Sequence, residues 1–281
     1  MTGTCSSLVS WIGETQLDSQ NSVTGYGPSS LGETGFRNTP IWPGGASRSL
    51  AQDAKKAVYM TFLLDQSESM GWEANGHRRF ELVNKGLRGT LLELPRQISP
   101  RLDLRVRVIG FNNKLHNRSA GYQPIKSLAD RESVFLTERD CASTTSLWGA
   151  INYALTDLYE TFDRARKEGH LVAKPILVVF TDGKPEGNDP VSFEELQRGI
   201  AYHAVREGAT ICFITAGDNG DMDRISRIAT SVCRKGEPDV FTCDDSYADV
   251  ARTFEFLTDS LSGTIGTNPS SIESGGAGEI V

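Results

Sequence analysis

The chain has 281 residues, of which 38% are hydrophobic and 23% charged, so it is long enough for one large α/β domain or two small ones. Its net charge of -7 argues against nucleic acid or an anionic membrane as the main partner. No apolar run reaches the roughly 18 residues of a membrane helix, and the N-terminus lacks the basic and apolar regions of a secretory signal, so we expect a cytoplasmic protein.

Both ends of the chain differ in composition from the middle. Residues 1–54 are rich in Gly, Ser, Thr, Asn and Pro and have few periodic apolar positions, which predicts a flexible or irregular extension. Residues 263–281 have the same character and are predicted to form a flexible tail. A domain is therefore expected over residues 55–262.

Strand-like and helix-like patterns alternate through this central region. Runs of β-branched and aromatic residues predict strands, and apolar residues three and four positions apart predict amphipathic helices. The predicted elements are, in chain order, a strand at 58–64, a helix at 80–94, a strand at 104–111, a shorter strand at 121–125, a helix at 147–162, a strand at 176–181, a helix at 192–206, a strand at 209–215, a helix at 222–231, a short strand at 239–242 and a helix at 246–261. This alternation predicts an α/β fold with a doubly wound, mostly parallel central sheet flanked by helices.

Two of the predicted strands end in an aspartate. Asp65 follows the apolar run 58–64, and Asp182 follows the apolar run 176–181. Ligands of doubly wound sheets bind beyond the carboxyl ends of the strands, so both carboxylates are expected at the ligand-binding edge.

The first aspartate opens a segment rich in oxygen donors, Asp65-Gln66-Ser67-Glu68-Ser69. Side chains two residues apart on an extended segment face the same way, so Asp65, Ser67 and Ser69 are expected to converge. Gln66 and Glu68 are expected to face elsewhere. Carboxylates and hydroxyls are the hard ligands that Mg²⁺ prefers, which predicts a metal site at this edge.

A third group of hydroxyls, Ser143-Thr144-Thr145-Ser146, immediately precedes the second predicted helix. Such residues commonly cap a helix N-terminus, and this is the ordinary interpretation of each of them. Only closeness to the two strand-end aspartates would make one of them a metal ligand.

The three segments, in this order and spacing, resemble the metal-ion-dependent adhesion site of the von Willebrand factor A domain. The resemblance covers about residues 56–262. It implies that the metal-site residues are Asp65, Ser67, Ser69, Thr145 and Asp182. Thr145 is preferred because residues 143–150 align with the family pattern glycine-glycine-threonine-x-leucine-x-x-alanine, and Thr144 is the alternative.

The chain departs from the family pattern at a few positions of these loops. Glu68 occupies a position that is often glycine, and Ser143 and Thr144 replace the two glycines before the threonine. These changes leave the ligands in place but are expected to stiffen the loops. Glu68 also adds a negative charge beside the mouth of the site.

The resemblance implies a protein-binding module rather than an enzyme. A bound Mg²⁺, with Mn²⁺ as an alternative, would complete its coordination with an acidic residue of a partner protein. Within the family, the chain resembles the cytosolic bacterial branch more than the secreted matrix proteins. Its resemblance to the members associated with tellurite resistance implies a scaffold in a stress or defence complex. The loops after the two aspartates are expected to rim the site and carry partner specificity, through Trp72, Glu73, Asn75, His77, Pro185, Glu186, Asn188 and Asp189. Trp148 is expected to pack within the second helix.

Two alternatives to this interpretation remain at this point. A Mg²⁺-dependent, phosphatase-like hydrolase could use Asp65 as its nucleophile, but such enzymes need a second acid where Ser67 stands. A purely structural subunit with a vestigial site is the other alternative, and the intact ligand set argues against it. The oligomeric state is open.

Overall fold

The alternating sequence pattern folds into strands and helices in the expected order. The computed structural model describes residues 55–74, 76–173, 175–182, 189–207, 209–216, 221–230, 238–243 and 247–265. The strands and α-helices in these ranges are β1 Lys56–Asp65, β2 Glu73–Ala74, β3 His77–Arg78, α1 Arg79–Gln97, β4 Leu102–Phe111, β5 Leu115–Asn117, β6 Gln123–Pro124, α2 Leu147–Lys167, β7 Ile176–Thr181, α3 Phe193–Glu207, β8 Thr210–Ala216, α4 Met222–Ile228, β9 Val240–Cys243 and α5 Tyr247–Ile265. A short 3-10 helix, Glu68–Gly71, follows β1.

Seven of the described strands form one sheet with β1 near its centre. The strand order is β5-β4-β1-β7-β8-β9, and β6 also pairs with β4. Strands β4, β1, β7, β8 and β9 run parallel, whereas β5 and β6 pair with β4 in the antiparallel sense. This mostly parallel α/β sheet confirms the predicted fold class. Because β4 and β7 flank β1, the chain order reverses there, and the switch point lies between the carboxyl ends of β1 and β7.

Helices cover both faces of the sheet, and each face has its own apolar core. Successive side chains of a strand point to opposite faces. Met60 and Phe62 of β1 therefore pack in the core that includes α1 and α5. Tyr59 and Leu63 pack in the core that includes α2, α3 and α4. This double cover leaves the strand ends as the place where polar side chains can gather.

The small strands on the β4 side of the sheet differ from the prediction. The strand expected at 121–125 is reduced to Gln123–Pro124, since Gly121 has a φ of +70°, outside the extended region, and Pro124 has no N–H to extend the pairing with β4. Strand β5, Leu115–Asn117, was not predicted at all. Its three residues are exposed and therefore lack an apolar pattern.

The five α-helices in the described part of the chain end at other residues than expected: α1 runs to Gln97 instead of 94, α2 to Lys167 instead of 162 and α3 to Glu207 instead of 206. Helix α4 was predicted to reach residue 231 but ends at Ile228, because the chain turns there and the Thr230 N–H donates to the Ile211 carbonyl at 3.1 Å. Helix α5 continues to Ile265, beyond its predicted end at 261. Of the helices in the described ranges, none has the length and apolar character needed to cross a membrane.

Candidate metal centre

Asp65 is the last residue of β1, and its buried carboxylate is held by two hydrogen bonds. The backbone N–H of Ser67 donates to Asp65 Oδ1 at 2.8 Å. The hydroxyl of Thr181, at the end of β7, donates to Asp65 Oδ2 at 2.7 Å. The carboxylate is therefore fixed at the switch point between the two strands.

The two serine hydroxyls of the first segment meet the second aspartate. Ser67 Oγ and Ser69 Oγ lie 3.0 Å apart. Ser69 Oγ donates to Asp182 Oδ1 at 2.9 Å, and Ser67 Oγ lies 3.5 Å from the same oxygen. The structure thus brings together oxygen donors that lie more than a hundred residues apart in the chain.

Arg79 contacts this group although sequence reasoning did not find it. Its Nη1 donates to Asp182 Oδ2 at 2.5 Å, and both side chains are largely buried. Arg79 is the first residue of α1 and belongs to no recognised motif. Only its position, just after the loop that follows the serines, could have drawn attention to it.

The segment before α2 is joined to the first segment through its backbone. The Ala142 N–H donates to the Gln66 carbonyl at 2.9 Å, and the Glu68 N–H donates to the Ser143 carbonyl at 3.1 Å. Gln66 was expected to face away, and it is buried, with its side chain packed at Gly110 of β4. These contacts hold residues 143–146, the threonine segment, beside residues 66–69, the serine loop.

The two candidate threonines differ in exposure. Thr145 is buried, whereas Thr144 is exposed. Ser143 has a φ of +70°, in the left-handed region that favours glycine. The family pattern that has glycine at this position therefore matches the backbone conformation that the chain adopts here.

Asp189, which was expected at the rim of the site, has a structural role at the start of α2. Its carboxylate accepts hydrogen bonds from the N–H groups of Trp148 at 2.7 Å, Gly149 at 2.9 Å and Val191 at 3.2 Å. Burial raises the pKa of Asp189, and these N–H groups oppose that rise. The carboxylate caps the N-terminus of α2 and so ties the chain after Asp182 to the helix that follows Thr145.

The remaining rim residues divide between exposed side chains and residues outside the described ranges. Trp72 is 58% exposed, and Glu73 and His77 are exposed as well. Asn75, Pro185, Glu186 and Asn188 lie outside the described residues. Trp148 is buried and its ring lies 5.2 Å from that of Phe193, so it packs as expected.

The electrostatics of the site favour an added cation. Burial, together with the negative charge of Asp182, raises the pKa of Asp65 to about 7, although the hydrogen bond from Thr181 acts in the opposite direction. With both aspartates ionised, the single positive charge of Arg79 leaves the group with a net charge of -1. A divalent cation would remove the repulsion between the two carboxylates.

The donor chemistry fits a hard metal ion. In the part of the chain that the structure describes, no three His, Cys, Asp or Glu residues cluster closely enough to hold a metal ion by themselves. A metal bound here would therefore use two carboxylates, hydroxyls and water. This all-oxygen set suits Mg²⁺ or Mn²⁺.

Comparison with known proteins identifies the fold. Residues 60–252 match the von Willebrand factor type A domain family. No match was found among curated proteins.

Three similar solved structures differ in how much of their length is matched. Proximal thread matrix protein 1 from the mussel byssus is 17% identical, with 77% of this chain and 48% of that chain covered and a TM-score of 0.48. The PilB minor pilin from Streptococcus sanguinis is 12% identical, with 79% of this chain and 64% of the pilin chain covered and a TM-score of 0.52. The von Willebrand factor domain of the type V pili tip protein Mfa5 from Porphyromonas gingivalis is 12% identical, with 81% of this chain and 99% of the Mfa5 domain covered and a TM-score of 0.50. This chain thus spans about half of the mussel protein and less than two thirds of PilB.

Proposed function

This chain belongs to the von Willebrand factor type A domain family, and we propose that it is a divalent-cation-dependent protein-binding module. The metal is Mg²⁺, with Mn²⁺ as an alternative. Its ligands, directly or through water, are Asp65, Ser67, Ser69, Thr145 and Asp182. The observation that carries the proposal is the meeting of the Ser67 and Ser69 hydroxyls at Asp182 Oδ1, within 3.5 Å and 2.9 Å.

The buried Thr145 completes this set in the proposal. Its segment is held beside the serine loop by the hydrogen bond from Glu68 to Ser143. Thr144 is exposed and is therefore the weaker candidate. The Asp189 cap supports this position because it holds the first turn of α2, which directly follows the threonine segment.

An acidic residue of a partner protein completes the coordination of the metal. Magnesium prefers about six oxygen ligands and keeps several waters, so a carboxylate from outside can replace one of them. The metal gives the contact its direction, and the surrounding surface supplies most of the contact area. The exposed Trp72, five residues after Ser67, is part of that surface.

The proposal extends to the biological setting. The resemblance of the motifs to the cytosolic bacterial branch supports a cytoplasmic scaffold in a stress or defence complex. Asp65 has no catalytic role in such a scaffold. Residues 1–54 and 263–281 flank the module in this proposal as extensions.

Metal titration tests the central claim. Calorimetry of the full chain with Mg²⁺ and with Mn²⁺ should show binding of one ion, and Asp65→Asn should abolish it. Asp103→Asn is the matched control, because Asp103 lies at the opposite end of the neighbouring strand and pairs with Arg105 at 2.8 Å. The control should bind the metal like the unmodified protein. Absence of binding and of any thermal shift with either ion would refute the proposal.

Partner capture then tests the use of the metal. A partner protein that the unmodified chain retains should be released on addition of a chelator. The Asp65→Asn variant should not retain this partner, whether or not Mg²⁺ is present. A partner that binds the variant and the chelated protein equally well would show that the metal has no part in recognition.

A further inference from the structure

Arg79 and the serine loop each donate a hydrogen bond to a different oxygen of the Asp182 carboxylate. Ser69 donates to Oδ1 at 2.9 Å, whereas Arg79 Nη1 donates to Oδ2 at 2.5 Å. Only 11% of the Arg79 side chain is exposed, and the Asp182 side chain is fully buried. A fixed positive charge therefore lies within the proposed coordination group.

The position of Arg79 is set by the loop that carries Trp72. The Arg79 N–H donates to the Trp72 carbonyl at 3.4 Å, which closes the β2–β3 hairpin between them. A positive side chain in the first turn of a helix opposes the helix dipole, so this placement is unfavourable for α1 itself. The contact with Asp182 offsets that cost, which points to a role in the site rather than in the helix.

Arg79 changes the net charge of the site once a cation is bound. The two buried carboxylates and one divalent cation sum to zero, and Arg79 raises the sum of the buried charges to +1. The negative charge of Glu68 lies on an exposed side chain, where solvent screens it. A positive centre holds its cation less tightly and attracts an acidic side chain more strongly. The two effects have opposite signs.

We propose that Arg79 determines the ligand specificity of this centre, weakening the binding of the metal and strengthening the binding of a partner carboxylate. This inference rests on the proposed metal-dependent function. Because the guanidinium is largely buried against Asp182, it acts on a partner aspartate or glutamate through its charge rather than by direct contact.

Two titrations of the full chain test this assignment. The first measures Mg²⁺ affinity by calorimetry. The second adds acetate, as the carboxylate probe, to the Mn²⁺-loaded protein and follows the water-proton relaxation rate. Arg79→Gln should bind Mg²⁺ about tenfold more tightly, because the variant removes a buried positive charge that repels the cation. The same variant should bind acetate about tenfold more weakly.

Two further variants separate charge from structure. Arg79→Lys keeps the charge and should stay within about threefold of the unmodified protein in both titrations. Arg78→Gln removes the same charge one residue away, where Arg78 is more exposed and pairs with Glu138, and should change both affinities by less than about twofold. In chelator, Arg79→Gln should unfold at a lower temperature than the unmodified protein, and Mg²⁺ should stabilise it more.

The outcomes distinguish this inference from the proposed function. Tighter Mg²⁺ binding together with weaker acetate binding by Arg79→Gln supports the role of Arg79. If Arg79→Gln bound Mg²⁺ and acetate as the unmodified protein does, or bound both more weakly, the role of Arg79 would be overturned. The proposed metal site would not be affected by either result. Failure of the unmodified protein to bind Mg²⁺ or Mn²⁺ would remove the proposed function and the inference with it.

Discussion

The hydroxyl of Thr181 donates to Asp65 Oδ2 at 2.7 Å and so joins the ends of β7 and β1 at the switch point of the sheet. This bond holds a buried carboxylate in one orientation. It also favours the ionised form of Asp65, which a metal requires.

Replacing Thr181 by valine tests this contact, because valine keeps the shape and removes the hydroxyl. We expect a loss of about 1–2 kcal/mol in the free energy of unfolding and about tenfold in Mg²⁺ affinity. Thr215→Val is the matched control, since Thr215 is the buried register partner of Thr181 on β8. Calorimetry of both variants should show weaker Mg²⁺ binding only for Thr181→Val.

The raised pKa of Asp65 predicts a pH-dependent effect of Asp65→Asn. Folding raises this pKa from 3.8 to about 7, so the ionised group destabilises the metal-free protein, and the penalty grows as the pH rises through this range. In chelator, the stability of Asp65→Asn relative to the unmodified protein should therefore increase by roughly 2 kcal/mol between pH 5 and pH 8.

Urea unfolding at several pH values measures this difference. Addition of Mg²⁺ at pH 8 should stabilise the unmodified protein and leave Asp65→Asn unchanged. A stability difference that stays constant from pH 5 to pH 8 would contradict the burial argument.

The left-handed backbone of Ser143 predicts that glycine is preferred there. Ser143→Gly should raise the free energy of unfolding by about 0.5–1 kcal/mol, and Ser143→Val should lower it by about 1–2 kcal/mol. Ser133 is an exposed serine without a positive φ and provides the control. Thermal unfolding in chelator should show no gain for Ser133→Gly, and a gain equal to that of Ser143→Gly would rule out the backbone explanation.

The exposure of Trp72 predicts that its removal weakens partner binding without weakening metal binding. Trp72→Ala should weaken the binding of a chelator-sensitive partner by about 1–3 kcal/mol, because tryptophan is enriched among the few interface residues that carry most of the binding energy. Its Mg²⁺ affinity should not change. Leu171 is 56% exposed but lies at the amino end of β1, where its carbonyl accepts the Ala57 N–H at 2.7 Å. Leu171→Ala should therefore bind both partner and metal normally.

Local patterns in the sequence were sufficient for the main elements of the fold. The apolar runs before Asp65 and Asp182 predict two buried strands, and both occur in the structure at about the expected residues. The exposed strand β5 has no such pattern and could not be predicted in this way. The end of α4 depends on a hydrogen bond between Thr230 and Ile211, which lie 19 residues apart, one after α4 and the other on β8.

By itself, the sequence determined the alternation of strands and helices and the oxygen chemistry of the strand ends, because burial and side-chain direction follow from short-range periodicity. Only the tertiary structure decided which side chains share the Asp182 carboxylate and which acid caps α2. Arg79 lies 103 residues from Asp182, and Asp189 lies 41 residues from Trp148. No local pattern encodes such contacts, since they arise only when separate strands and helices meet at one edge of the sheet.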